Sequence, residues 1–119
     1  MSQELADRNF GDCEIHAISF LNGSAYFNIF DPFEVAFFTL VFHSVDILVF
    51  ATDHTQNVID AIYLFEDFDA LKRHPIAFDF FKKIESLNPN FDPTRKFAYI
   101  APTTGGDTLI SFSSVEIEE

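Results

Sequence analysis

Asp53 and His54 are the residues of this sequence best suited to acid–base chemistry. An imidazole titrates near neutral pH, and an adjacent carboxylate can orient it, so the pair has the groups for proton transfer. The two residues stand where an apolar strand is expected to end and a helix to begin, a common place for functional residues in α/β proteins. A helix cap explains Asp53 equally well, and no nucleophile motif accompanies the pair. Asp53 and His54 are therefore weak catalytic candidates, and a protein without enzymatic activity is favoured.

Metal and cofactor sites have little support in the sequence. Side chains alternate along a strand, so Cys13 and His16 face opposite sides and cannot chelate together. Glu14 and His16 share a face, but two ligands make an incomplete site. Residues 66–69 match a calcium loop only in their acids, because the glycine and the closing glutamate of such a loop are missing. We expect no metal and no cofactor.

Charge is the strongest indication of function. Between Asn9 and Leu71 there is no Lys or Arg, and the whole chain has a formal net charge of −12. A field of one sign repels nucleic acid and anionic membranes and attracts cationic surfaces. The sequence therefore predicts a basic protein partner, no nucleic acid and no membrane. The carboxylates of this base-free stretch are Asp12, Glu14, Asp31, Glu34, Asp46, Asp53, Asp60, Glu66, Asp67 and Asp69.

The predicted contact surface lies between residues 53 and 69. We expect a helix here whose outer side carries Tyr63 among carboxylates, a combination that suits Lys and Arg on a partner. An ordinary solvated helix face explains the same pattern and remains the alternative. The predicted partner-binding residues are Asp53, Asp60, Tyr63, Glu66, Asp67 and Asp69.

Three functions fit the composition. The first is a small acidic protein that captures or neutralises a basic partner, the physical character of inhibitors and of immunity proteins against nucleic-acid-cleaving toxins. The second is a protein that binds a small apolar ligand in a pocket lined by its 17 Phe, or a minor enzyme that uses Asp53 and His54. The third is a homo-oligomeric module, such as a homodimer, that buries excess Phe between identical subunits.

The apolar pattern predicts one α+β domain over residues 1–119, an antiparallel sheet of about five to six strands with two helices packed on one face. Asn22-Gly23 is a hairpin-turn signal between two strands. Residues 33–42 are either strand or helix, because the preceding Asp-Pro begins like a helix while an apolar run on every side favours a buried strand. We favour the strand. A bulge or bend near Ser113-Ser114 is expected to return the end of the last strand to the core side.

Two helices are expected after residue 52. Apolar residues at spacings of three and four predict the first, and they are Val58, Ala61, Ile62, Phe65 and Phe68. The second is expected from about Pro75 to Leu87, with Asp79 paired to Lys83 one turn on. Its predicted inner stripe is Ile76, Phe80, Ile84 and Leu87.

The only cysteine, Cys13, excludes an internal disulfide and suits a reducing compartment. Residues 1–10 are polar and lack the apolar core of a signal peptide. The most apolar region, residues 35–52, contains His43 and Asp46, which a bilayer would penalise. A cytoplasmic location is therefore expected.

Overall fold

The computed structural model describes residues 9–51, 56–85 and 90–119. These residues form eight strands in one sheet and two short helices. Every pair of neighbouring strands is antiparallel. The elements are β1 (Glu14–Leu21), β2 (Ser24–Asp31), β3 (Ala36–His43), β4 (Ile47–Ala51), β5 (Val58–Phe65), α1 (Phe68–Lys72), α2 (Pro75–Ile84), β6 (Lys96–Thr104), β7 (Asp107–Phe112) and β8 (Ser114–Glu118).

The sheet closes on itself through two bent strands. The strand order is β4-β7-β6-β5-β1-β2-β3-β8, and β4 continues β3 while β8 continues β7. The bent strand β3–β4 therefore pairs with the bent strand β7–β8 along both halves. Backbone bonds cross the bend, where Ser113 N–H donates to His43 O at 2.9 Å and Asp46 N–H donates to Ser111 O at 3.1 Å. The predicted bend at Ser113-Ser114 is confirmed.

The predicted α+β class, with an antiparallel sheet and two helices, is confirmed, but the strand count of eight exceeds the expected number. One additional strand, β5, occupies a segment that was predicted to be helical. Another arises because the bend at Ser113 divides the last predicted strand into β7 and β8.

The interior of the closed sheet is the larger of two apolar cores. On β3, Phe38, Leu40 and Phe42 point inward and are 4% exposed or less. Phe27 and Ile29 of β2 face them and are fully buried. This alternation places residues 36–43 in a strand with two different faces. The preference for strand over helix in residues 33–42 is confirmed for Ala36 onward.

The second core lies outside the closed sheet, beneath the helices. Outward-facing residues of β5, β6 and β7 pack there against Leu71 of α1 and against the buried side of α2. That side of α2 consists of Ala77, Phe80, Phe81 and Ile84. The predicted inner position of Ile76 is wrong, since this side chain is 62% exposed. The predicted pair of Asp79 and Lys83 is confirmed at 3.3 Å, and Leu87 lies outside the described residues.

The predicted first helix is replaced by strand β5 over most of its length. Both faces of β5 are covered, so its apolar residues do not alternate simply and mimic helical spacing. Ile62 and Leu64 pack against the interior, whereas Tyr63 and Phe65 pack beneath the helices. A register shift between Ile59 and Ala61 disturbs the alternation further.

Candidate functional site

The residues predicted to bind a partner do not form one stripe. Asp60 is exposed on the strand β5. Tyr63 therefore does not lie next to it, as it would one turn further along a helix. The Tyr63 ring packs beneath the helices instead, with its centroid 4.3 Å from the His74 ring. His74 is fixed there because its Nδ1 accepts the N–H of Ala77 and caps α2. Tyr63 is therefore partly buried between the helices and the sheet.

The acids that follow β5 have local structural roles. Asp67 caps α1, since its Oδ1 accepts the N–H of Ala70 at 2.9 Å. Asp69 pairs with Lys72 at 3.3 Å, and Glu66 is exposed. Asp53 and His54 lie in residues 52–55, outside the described part of the chain. Partner binding by these residues stays a prediction.

The residues weighed as metal ligands are separated as the strand pattern predicts. Cys13 is 1% exposed in the interior core, while Glu14 Oε1 lies 3.6 Å from His16 Nε2 on the outer face. Among the described residues, no group of three or more His, Cys, Asp or Glu side chains is placed to hold a metal ion.

The most distinctive surface is the turn between β2 and β3 with the first residues of β3, which we call the 31–37 tip. Its three large apolar side chains point to solvent: Phe33 is 75% exposed, Val35 76% and Phe37 55%. Exposed apolar side chains grouped on one segment are typical of interaction surfaces. The carboxylate of Glu34 lies among them and is also exposed.

A side-chain cap fixes the conformation of the 31–37 tip. Oδ1 of Asp31 accepts the N–H of Phe33 at 2.9 Å and the N–H of Glu34 at 3.3 Å. This arrangement explains why the sequence looked like a helix start, since an Asx turn and a helix cap use the same bonds. The turn leads into β3 instead, and Asp31 itself is 9% exposed.

Val35 carries backbone strain within the tip. Its φ is +51°, in the left-handed region that a β-branched residue rarely adopts. Such a conformation costs roughly 1–2 kcal/mol. Strained backbone tends to occur at functional sites, where the surrounding structure maintains it. The strain and the exposure of Val35 thus coincide on the same turn.

A cleft of about 410 Å³ lies beside the tip. Three of its lining residues are acidic and two are aromatic, and the lining set is Asp31, Glu34, Ala36, Phe37, Phe38 and Glu119. The Phe37 ring contacts the Phe30 ring, with centroids 5.0 Å apart, and the His16 ring, in an edge-to-face arrangement with centroids 5.3 Å apart. The cleft therefore combines negative charge with a fixed aromatic wall.

A second cleft of about 420 Å³ contains Arg95 and Lys96 together with Glu66. Arg95 is already engaged, because its Nε lies 3.1 Å from Asp46 Oδ1 and its Nη2 donates to Ser44 O. These contacts tie the loop before β6 to the bend between β3 and β4. The cleft is thus better explained as part of the bend than as a binding site.

Sequence reasoning missed the 31–37 tip, although a signal for it existed. Phe33, Val35 and Phe37 have the opposite parity to the inward-facing Phe38 and Leu40. Once residues 36–43 are assigned to a strand, this parity places Phe37 on the outer face. Because both a strand and a helix were considered for residues 33–42, the position of Phe37 on the outer face was not predicted.

Comparison with known proteins gives no relative: no protein-family model, no curated protein and no solved structure matches this chain. Neither of the two helices in the described residues has the length and apolar character needed to cross a bilayer. Function must therefore be inferred from the residues of the chain itself.

Proposed function

We propose that this protein captures a basic protein partner and that the 31–37 tip is its contact surface. The observation that supports the proposal is the exposure of Phe33, Val35 and Phe37 on a turn that Asp31 fixes, beside a cleft with three acidic lining residues. Apolar anchors inside a charged rim are the usual anatomy of a protein interface. The acidic rim favours a partner that presents Lys and Arg.

The overall charge strengthens this proposal. A formal charge of −12 on 119 residues attracts a cationic surface over distances longer than any contact. Steering of this kind speeds association and is weakened by salt. Capture then proceeds in two stages: the charge brings the partner in, and the apolar side chains of the tip hold it.

The rigidity of the tip suits an inhibitory mode of binding. Because Asp31 fixes the turn, little conformational freedom is lost when Phe33 and Glu34 enter a groove on the partner. A carboxylate between two exposed apolar side chains matches a groove with a basic floor and apolar walls. Neutralisation of a basic active site is the biochemical outcome we propose.

A capture experiment with matched variants tests the proposal. The tagged wild-type protein is compared with a double variant, Phe33→Ser with Val35→Ser, in lysate at about 50 mM and about 500 mM NaCl. The control variant is Ile76→Ser, which removes an exposed apolar residue from α2. We expect wild type and control to retain one basic protein at low salt, with release at high salt and loss in the double variant. Equal retention by all three proteins, or retention that ignores salt, contradicts the proposal.

Self-association is a second candidate, favoured by other exposed apolar residues. Phe20 and Leu21, beside the β1–β2 turn, are 56% and 61% exposed, so the tip is not the sole apolar surface. A homodimer that buries them must overcome repulsion between two acidic chains. Sedimentation at micromolar concentration distinguishes the cases: a dimer that Phe20→Ser dissociates supports this candidate, and a monomer rejects it.

A further inference from the structure

We infer that the cleft beside the 31–37 tip selects arginine over lysine on the partner, an inference that rests on the proposed function. Both residues satisfy a demand for positive charge. They differ in shape, because the guanidinium is a planar fork and the ammonium is a compact, strongly hydrated point charge. The walls of the cleft favour the planar group.

The aromatic wall is the first reason. Phe37 is 55% exposed, and contacts with Phe30 and His16 hold its ring on the outer face of β1–β3. A ring that is held by such contacts and half exposed can receive a planar cation with little further ordering. Guanidinium groups stack on such faces and keep their edge donors free, whereas an ammonium gives up more hydration to approach.

The arrangement of acids is the second reason. Asp31 and Glu34 belong to the turn, and Glu119 follows β8, so the carboxylates line the cleft from two separate chain segments. Asp31 is also held in place by the turn that it caps. Asp31 adds negative charge to the cleft, whereas the exposed Glu34 can accept hydrogen bonds from a partner. The N–H donors of arginine can bond to Glu34 while the plane of the group stacks on Phe37. Lysine presents a compact ammonium, which cannot stack flat on the ring while donating from the edge of a plane.

Short peptides test the preference directly. The probes are the blocked peptides Ac-Ala-Arg-Leu-Arg-Ala-NH₂ and its lysine counterpart, titrated into the full chain and followed by amide chemical shifts. We expect shifts at Glu34, Phe37 and Glu119, with a dissociation constant about three-fold lower for the arginine peptide.

Phe37→Leu keeps an apolar wall without an aromatic face, so it should remove the difference between the peptides. Glu34→Gln should weaken binding of both, and Glu85→Gln at the C-cap of α2 is the remote acidic control.

The possible outcomes separate this inference from the proposed function. Equal affinities for the two peptides at the cleft overturn the arginine preference and leave capture of a basic partner intact. Shifts that map away from the cleft, or an arginine advantage that persists in Phe37→Leu, overturn the role of the aromatic wall. Absence of binding by either peptide also rejects the inference, while the capture experiment on whole partners judges the proposed function separately.

Discussion

Val35 combines a left-handed backbone with a β-branched side chain on an exposed turn. Glycine at this position would relieve the steric cost at φ +51° and would lose no buried contact. We expect Val35→Gly to raise the free energy of unfolding by about 0.5–1 kcal/mol, net of the greater freedom of glycine in the unfolded chain. Urea denaturation measures the change.

The neighbouring residue provides the control for this prediction. Ala36 is exposed and begins β3, outside the left-handed region. Ala36→Gly should therefore lower the free energy of unfolding by about 0.5–1 kcal/mol. If both glycine variants lower stability, Val35 is not strained. Val35→Gly should also weaken partner capture, because it removes one of the exposed apolar side chains of the tip.

Tyr99 is a buried residue whose phenol is harder to ionise in the folded protein than in water. The phenol is 1% exposed and donates to Asp107 Oδ2 at 2.6 Å. Burial, and next the hydrogen bond to Asp107, raise the pKa of Tyr99 above its ordinary value of 10.0. We expect Tyr99→Phe to lower the free energy of unfolding at pH 7 by about 1–3 kcal/mol, because Asp107 loses its donor.

The pH dependence of this effect has a definite sign. The neutral phenol stabilises the fold fully below pH 10.0, and the stabilisation is lost as the pH rises toward the raised pKa. The difference between wild type and Tyr99→Phe should therefore shrink above pH 10.0. Unfolding curves of both proteins at pH 7, 9 and above 10 check it, and a difference that grows with pH would contradict the assignment.

Single residues were predictable where local chemistry decides their environment. The Asn22-Gly23 turn, with φ of +53° and +79°, and the pair of Asp79 with Lys83 follow from residue types at short spacing. The placement of Tyr63 was not predictable, because it depends on which element contains it. Sequence patterns give local contacts, but the face that a residue occupies is fixed by its partners across the sheet.

Among the elements, α2 shows how a predicted helix stripe can be wrong at one position, since Phe80 and Ile84 are buried as predicted and Ile76 is not. The sequence pattern put Ile76 on the inner side, whereas the structure buries Ala77 and Phe81. The small Ala77 fits closely against the sheet, and Phe81 fills the space among Phe68, Phe91 and Phe97. Hydrophobicity alone ranks Ile above Ala, so it favoured the wrong side.

Two truncations on α2 test this assignment. Phe81→Ala should lower the free energy of unfolding by about 3–5 kcal/mol, because it opens a cavity between helix and sheet. Ile76→Ala should change it by less than about 0.5 kcal/mol, since this side chain is mainly in water. Thermal or urea unfolding measures both variants, and a larger loss for Ile76→Ala would restore the predicted stripe.

The replacement of the predicted first helix by β5 has a similar cause at the scale of an element. Apolar and polar residues alternate clearly in a strand that is covered on one face. The strand β5 is covered on both faces and has a shifted register near Asp60. Its apolar residues therefore fit a spacing of three and four as well as a spacing of two. The prediction of the α+β class was still correct, because the remaining segments define the sheet and α2.

At the scale of the whole molecule, the excess of acidic residues creates repulsion between like charges. A net charge of −12 opposes the compact state, and salt screens that repulsion. We expect the melting temperature at pH 7 to rise as NaCl increases from about 10 to about 300 mM. Circular dichroism at several salt concentrations measures the effect.

The matched condition is a solution near pH 4.4, the isoelectric point. Net charge is small there, so the same salt series should change the melting temperature much less. A melting temperature at pH 7 that falls with salt would show that the internal ion pairs, such as Arg95 with Asp46, outweigh the repulsion.

Closure of the sheet also determines how long the chain is prone to aggregation during its synthesis. Strands β1, β2 and β3 can pair as soon as they leave the ribosome, but one edge of β3 finds its partner only when residues 114–118 have been made. Until then the nascent chain presents an unpaired strand bearing Phe38, Leu40 and Phe42, the kind of edge that recruits other chains. Chaperone demand should therefore persist from the emergence of β3 until β8 emerges, and fall afterwards.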